Sequence, residues 1–137
     1  TIFLTGDLIF ESKVMKDMIN SKFENLMYVN PEAQINEKEF KVKIGNNGLI
    51  KKIGVNVFGE NVRLGYPLYK ISRSSMKLWM QEINNYILEG KTNLYGEDAF
   101  NNISDKINLR PMYTTDFCME IDNHADLHNA KDNYKKE

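Results

Sequence analysis

Four acids stand where an apolar run gives way to polar chain: Asp7 after TIFLTG, Glu97 and Asp98 in LYGEDAF, and Asp122 after CMEI. Carboxylates are the oxygen donors that a hard cation such as Mg²⁺ prefers. Asp7 follows a strand-like run, and open α/β sheets bind ligands beyond the carboxyl ends of their strands. Each acid also has a plainer account. An Asp between strand and helix makes turns, Asn123 and Asp126 can cap a final helix, and Glu97 and Asp98 suit the positive end of a helix dipole. His124 and His128 are spaced to share a helix face and hold a transition metal, but no third ligand is indicated nearby, so they read as solvated. The single Cys118 excludes an internal disulfide and a cysteine-rich zinc site. No serine or cysteine triad signature, zinc pattern or phosphate-cradling glycine motif is present. Spacing alone leaves a domain with acidic loop ends.

The elements that must position these acids follow from periodicity. TIFLT at 1–5 predicts a strand ended by Gly6 and Asp7. Val14, Met15, Met18 and Ile19 fall at helical spacing within 11–21, with Ser12 as N-cap. NLMYVN at 25–30 predicts a strand stopped by Pro31. FKVKI at 40–44 and LIKKIGV at 49–55 alternate around GNNG, a hairpin whose turn needs the positive φ that Asn and Gly supply. The extended segment 62–72 carries Pro67, which marks an edge or a bulge. Ser74 or Ser75 caps a helix whose Leu78, Trp79, Ile83, Tyr86 and Ile87 form one apolar stripe, closed by Gly90. A shorter helix at 94–106, strands at 107–115 and 118–121, and a terminal helix over 125–136 complete the reading. Strands mixed with helices predict an α/β or α+β sheet domain.

Bulk properties set the frame. A chain of 137 residues with 27% charged and 42% hydrophobic residues suits one globular domain, 1–137. A net charge of -1 gives no broad attraction to nucleic acid or an anionic membrane. No apolar run is long enough to span a bilayer and no signal-peptide pattern opens the chain. A cytoplasmic protein is the expectation.

Taken in order, GDLIF, a lysine-containing hairpin, GYPLYKIS, a long amphipathic helix, LYGEDAFNNI and MEIDNHADLHNA resemble the C-terminal half of a bacterial nucleotidyltransferase. The group is that of CTP:phosphocholine cytidylyltransferase and the related sugar-1-phosphate and phosphonate nucleotidyltransferases. The resemblance implies a mixed sheet with flanking helices, the C-terminal portion of a Rossmann-like nucleotide-diphospho-sugar transferase fold. It implies transfer of a nucleoside monophosphate, CMP from CTP, to a phosphorylated acceptor such as phosphocholine, with release of pyrophosphate. Asp7 and Asp122 would be catalytic ligands of Mg²⁺, with Thr5 standing where many such enzymes carry a further metal-binding Asp. Glu97, Asp98, Tyr69, Tyr95 and Glu120 would line the acceptor side, where aromatic faces and carboxylates suit a quaternary ammonium. A sugar-1-phosphate nucleotidyltransferase is the alternative, and a non-catalytic binding or assembly module is another.

The glycine-rich, basic loop that holds the triphosphate in such enzymes has no counterpart here. The sequence opens inside a strand, at Thr1 rather than Met. The expectation is therefore a half-domain, inactive alone, and a homo-oligomer through unpaired sheet edges. It rests on reading Thr1–Thr5 as an interior strand covered on both faces.

Overall fold

The computed structural model describes residues 1–134, so the last part of the expected terminal helix lies outside the described residues. The elements are β1 (Ile2–Leu4), β2 (Leu8–Phe10), α1 (Ser12–Asn20), β3 (Leu26–Asn30), β4 (Lys41–Ile44), β5 (Ile50–Gly54) and β6 (Val62–Lys70). They continue with α2 (Arg73–Leu88), α3 (Gly96–Ile103), a 3₁₀ turn at Ser104–Lys106, β7 (Arg110–Tyr113), β8 (Cys118–Glu120) and α4 (His124–Asn133). The main sheet runs β5-β4-β6-β3-β7, with β1 also paired to β6. Its β3–β7 pair is parallel and the others are antiparallel, so the expected mixed sheet with flanking helices is present. β2 and β8 form a separate antiparallel ribbon.

β3 explains how one sheet serves two cores. Side chains alternate across a strand. Met27 and Val29 therefore enter one cluster, with Tyr69, Trp79, Phe100 and Leu109. Leu26 and Tyr28 enter the other, with Val14 and Met18 of α1 and with Leu68 and Cys118. That is why NLMYVN reads as almost uninterrupted apolar residues. Gly65 lies where β6 crosses β4 and β3 most closely: a Cβ there would meet Val42 Cγ2 at 2.4 Å.

Several local expectations change. Pro67 is on the central strand, not an edge. The β3–β6 register slips between Met27 and Val29, which places Pro67 in a bulge. There the flank of β6 passes from β4 to β1, and the Pro67 carbonyl accepts from Thr5 N at 3.3 Å. Glu11, not Ser12, holds the N-cap position of α1. Ser72 caps α2, its hydroxyl accepting from Ser75 N at 3.2 Å. In the β4–β5 turn only Gly48 has positive φ (78°), because Asn47 acts through its side chain, accepting from Leu49 N at 3.1 Å. The α2 stripe is buried only around Trp79, while Ile87 is exposed. Gly90, at φ 75°, closes the helix as expected. β1 is not an interior strand: among the described residues it pairs only with β6, and Phe3 and Leu4 are 43% and 38% exposed.

Candidate functional site

The ribbon of β2 and β8 builds the site. Leu8 stands opposite Glu120, and Ile121 N donates to the Asp7 carbonyl at 2.9 Å. Asp7 and Asp122 thus leave the ribbon at the same end, one from each strand. Both are exposed. The N-terminus of α4 fixes the Asp122 backbone: the Asp126 carboxylate accepts from Asp122 N at 3.0 Å, and the Asn123 side chain accepts from Asp126 N at 2.9 Å. The capping roles of Asn123 and Asp126 therefore coexist with an Asp122 carboxylate turned to solvent. His124 and His128 are exposed on α4, and His128 Nε2 lies 3.6 Å from Asp132.

Glu120 is the electrostatic centre of this group. Burial pushes its carboxyl from the ordinary 4.5 up to about 7, helped by the negative charges of Asp7, Asp122 and Glu97. Negative charges around a half-buried carboxyl favour its protonated form. Glu97 reaches the group from α3, whose start is pinned by Trp79 Nε1 donating to the Gly96 carbonyl at 2.7 Å. Asp98, beside it, is used locally: its carboxylate accepts from Tyr95 N at 2.9 Å and caps α3. Tyr95 is 77% exposed at that helix end.

Tyr69 is buried, its ring stacked on Phe3 (5.9 Å between centroids) and edge-on to Trp79 (5.4 Å). Burial, with Glu97 and Glu120 adding to it, raises its hydroxyl well above the ordinary range. Among the described residues that buried hydroxyl has no hydrogen-bond partner, and neither does Thr5 Oγ1. Thr5 follows Phe3 by two residues and so shares its sheet face. These orphaned hydroxyls carry no sequence signal, because only burial makes them unusual.

Asp7 and Asp122 carry the hard oxygen donors that Mg²⁺ takes. Among the described residues no three His, Cys, Asp or Glu side chains gather as a metal cluster. Mg²⁺ commonly takes only one or two protein carboxylates, with phosphate and water completing its shell. Asp7 and Asp122 are exposed and leave the ribbon at the same end.

No family model matches the chain, and no curated protein sequence matches it. Solved structures do. CTP:phosphocholine cytidylyltransferase from Streptococcus pneumoniae superposes with a TM-score of 0.70 at 11% identity, covering 96% of this chain and 56% of that one. A Bacillus anthracis protein assigned as a glucose-1-phosphate thymidylyltransferase gives 0.64 at 16%, covering 98% and 56%. The inositol-1-phosphate CTP transferase of T. maritima gives 0.60 at 15%, covering 91% and 50%. The chain thus has a nucleotidyltransferase fold and spans about half the length of these structures, consistent with a C-terminal half. No helix among the described residues is long and apolar enough to cross a membrane.

Proposed function

We propose that this chain is the metal- and acceptor-binding half of a cytoplasmic nucleotidyltransferase. The reaction moves a nucleoside monophosphate, CMP from CTP, onto a phosphorylated acceptor such as phosphocholine and releases pyrophosphate. The observation that carries this reading is the β2–β8 ribbon, which delivers Asp7 and Asp122 to one end of a nucleotidyltransferase fold. Asp7 and Asp122 would hold Mg²⁺, which when bound neutralises charge on the reacting phosphates. The chain's own part is positioning. The α4 cap holds Asp122, the ribbon holds Asp7, and α3 presents Glu97 to the acceptor side. Glu97 and Glu120 would face a cationic head group or the hydroxyls of the acceptor. No protein nucleophile is required for a direct in-line displacement. The exposed Phe3 and Leu4 on β1 support association with a second copy or with the remaining half-domain.

A second acceptor class has its own support. The buried hydroxyls of Thr5 and Tyr69 lack partners. Sugar hydroxyls both donate and accept, so a sugar-1-phosphate could satisfy them if the rings around Tyr69 part on binding, whereas the trimethylammonium end of phosphocholine could not.

Manganese titration of the ¹⁵N-labelled chain tests the metal assignment. Paramagnetic broadening should centre on the amides of Asp7, Leu8, Ile121 and Asp122 and weaken at least tenfold in Asp122→Asn. In full-length protein containing this chain, the same variant should lose nucleotidyl transfer by several orders of magnitude while keeping its fold. Broadening centred elsewhere, or near-normal turnover, would remove Asp122 from the site.

A further inference from the structure

At the other end of α3 lies a cleft of different character. It has a volume of about 530 Å³ and runs between the β4–β5 turn and the 104–108 segment. It adjoins a second hollow of about 260 Å³ that shares Ile44, Gly45, Asn46 and Asn61 with it. Asn46, Asn61 and Asn108 line these hollows, and among the described residues no hydrogen-bond partner engages their side-chain amides. Lys43 and Lys51 line the larger one and Arg63 the smaller; among the described residues none pairs with a carboxylate, Arg63 Nη1 donates only to the Val62 carbonyl at 2.9 Å, and Asp105 is the one acid in the lining.

The walls are held by backbone. Gly45 N donates to the Leu49 carbonyl at 2.8 Å, Ile50 N to that of Leu109 at 2.8 Å, and Ile44 N to that of Asn61 at 2.9 Å. Asn61 is the only non-glycine residue among those described with positive φ, at 57°. A left-handed asparagine is tolerated but costs more than glycine there. The fold keeps that conformation at a residue that lines both hollows.

From this we infer that the cleft is a second binding site, for a small phosphorylated sugar or polyol. Ammonium and guanidinium groups without counter-charges suit a phosphate. Free side-chain amides offer a donor and an acceptor to each hydroxyl. Charge separates this site from the first. Without a bound cation, Asp7, Glu97, Glu120 and Asp122 disfavour a phosphate at their end of α3, whereas Lys43, Lys51 and Arg63 attract one directly at the other. An eight-residue helix such as α3 spans about 12 Å, so the two sites are distinct.

The ¹⁵N-labelled chain, titrated at constant ionic strength with glucose 6-phosphate, inorganic phosphate and glucose, tests this. Glucose 6-phosphate should shift the amides of Gly45, Asn46, Asn61 and Asn108 saturably, phosphate should do so at least fivefold more weakly, and glucose should do least. The double variant Lys43→Gln, Lys51→Gln should weaken glucose 6-phosphate at least fivefold with the spectrum otherwise preserved. Asn61→Gly should weaken it while leaving thermal stability equal or higher, because glycine accepts that backbone conformation freely. Absent shifts, or shifts spread over the surface and matched by sodium chloride, overturn the inference. Equal affinity for phosphate and glucose 6-phosphate overturns the sugar component. Shifts confined to the Asp7–Asp122 region overturn it too, while leaving the proposed catalytic site standing.

Discussion

Glu120→Gln tests the electrostatics of the acidic end of the fold most directly. The Glu120 carboxyl titrates at about 7 in the folded chain against an ordinary 4.5. A carboxyl raised by folding binds its proton more tightly in the native state, so the native state is favoured while that proton stays on. That contribution is complete below pH 4.5 and is lost as pH rises through 7. At one pKa unit per about 1.4 kcal/mol, the shift is worth about 3 kcal/mol in full. Because the side chain is only half buried, solvent screening reduces this to about 1–2 kcal/mol. For a domain of this size that is a fall in Tm of about 4–8 °C between pH 5 and pH 8. Calorimetry across this range should show the loss in the parent and a flatter profile in Glu120→Gln, with the variant more stable at pH 8. Millimolar Mg²⁺ should restore part of the parent's stability at pH 8, because a cation at Asp7 and Asp122 offsets the repulsion. Parallel profiles for parent and variant would refute the reasoning.

Other substitutions probe the scaffold around the site. Gly65→Ala drives a methyl against Val42 Cγ2 at 2.4 Å, with Met27 Cε and Tyr28 O both at 3.2 Å. It should cost about 3 kcal/mol by urea denaturation. Lys41 is 2% exposed, and its ammonium donates to the carbonyls of Glu37 (2.7 Å), Glu39 (2.8 Å) and Val55 (2.5 Å) beneath the Phe58 ring. Lys41→Met leaves those carbonyls unpaired and should cost about 3 kcal/mol, with faster amide exchange at 36–40 and 55–58. Tyr69→Phe removes a buried hydroxyl that has no partner. It should leave the unliganded chain equally stable or up to about 1 kcal/mol more so. A clear loss of stability would mean that this hydroxyl is satisfied within the fold.

What the sequence determined by itself was whatever depends on neighbours along the chain. The 3.6-residue spacing around Val14 and Met18, the alternation of FKVKI and LIKKIGV, and Gly90 at a helix end each produce their element through local sterics and burial. The order of motifs was likewise enough to anticipate the nucleotidyltransferase fold. Caps were less legible, because Ser72, Ser74 and Ser75 are chemically equivalent until the backbone selects one. Pro67 left edge and bulge open, since which neighbours flank β6 is a property of the sheet. The ribbon was hidden for the same reason: Leu8–Phe10 is too short for a periodic signal, and its partner lies at the far end of the chain. Tertiary structure alone decided that Glu120 shares a field with Asp7, Glu97 and Asp122, and that the hydroxyls of Thr5 and Tyr69 go unpaired. Charge coupling and desolvation depend on distance and burial in space, and neither is written in the local order of residues.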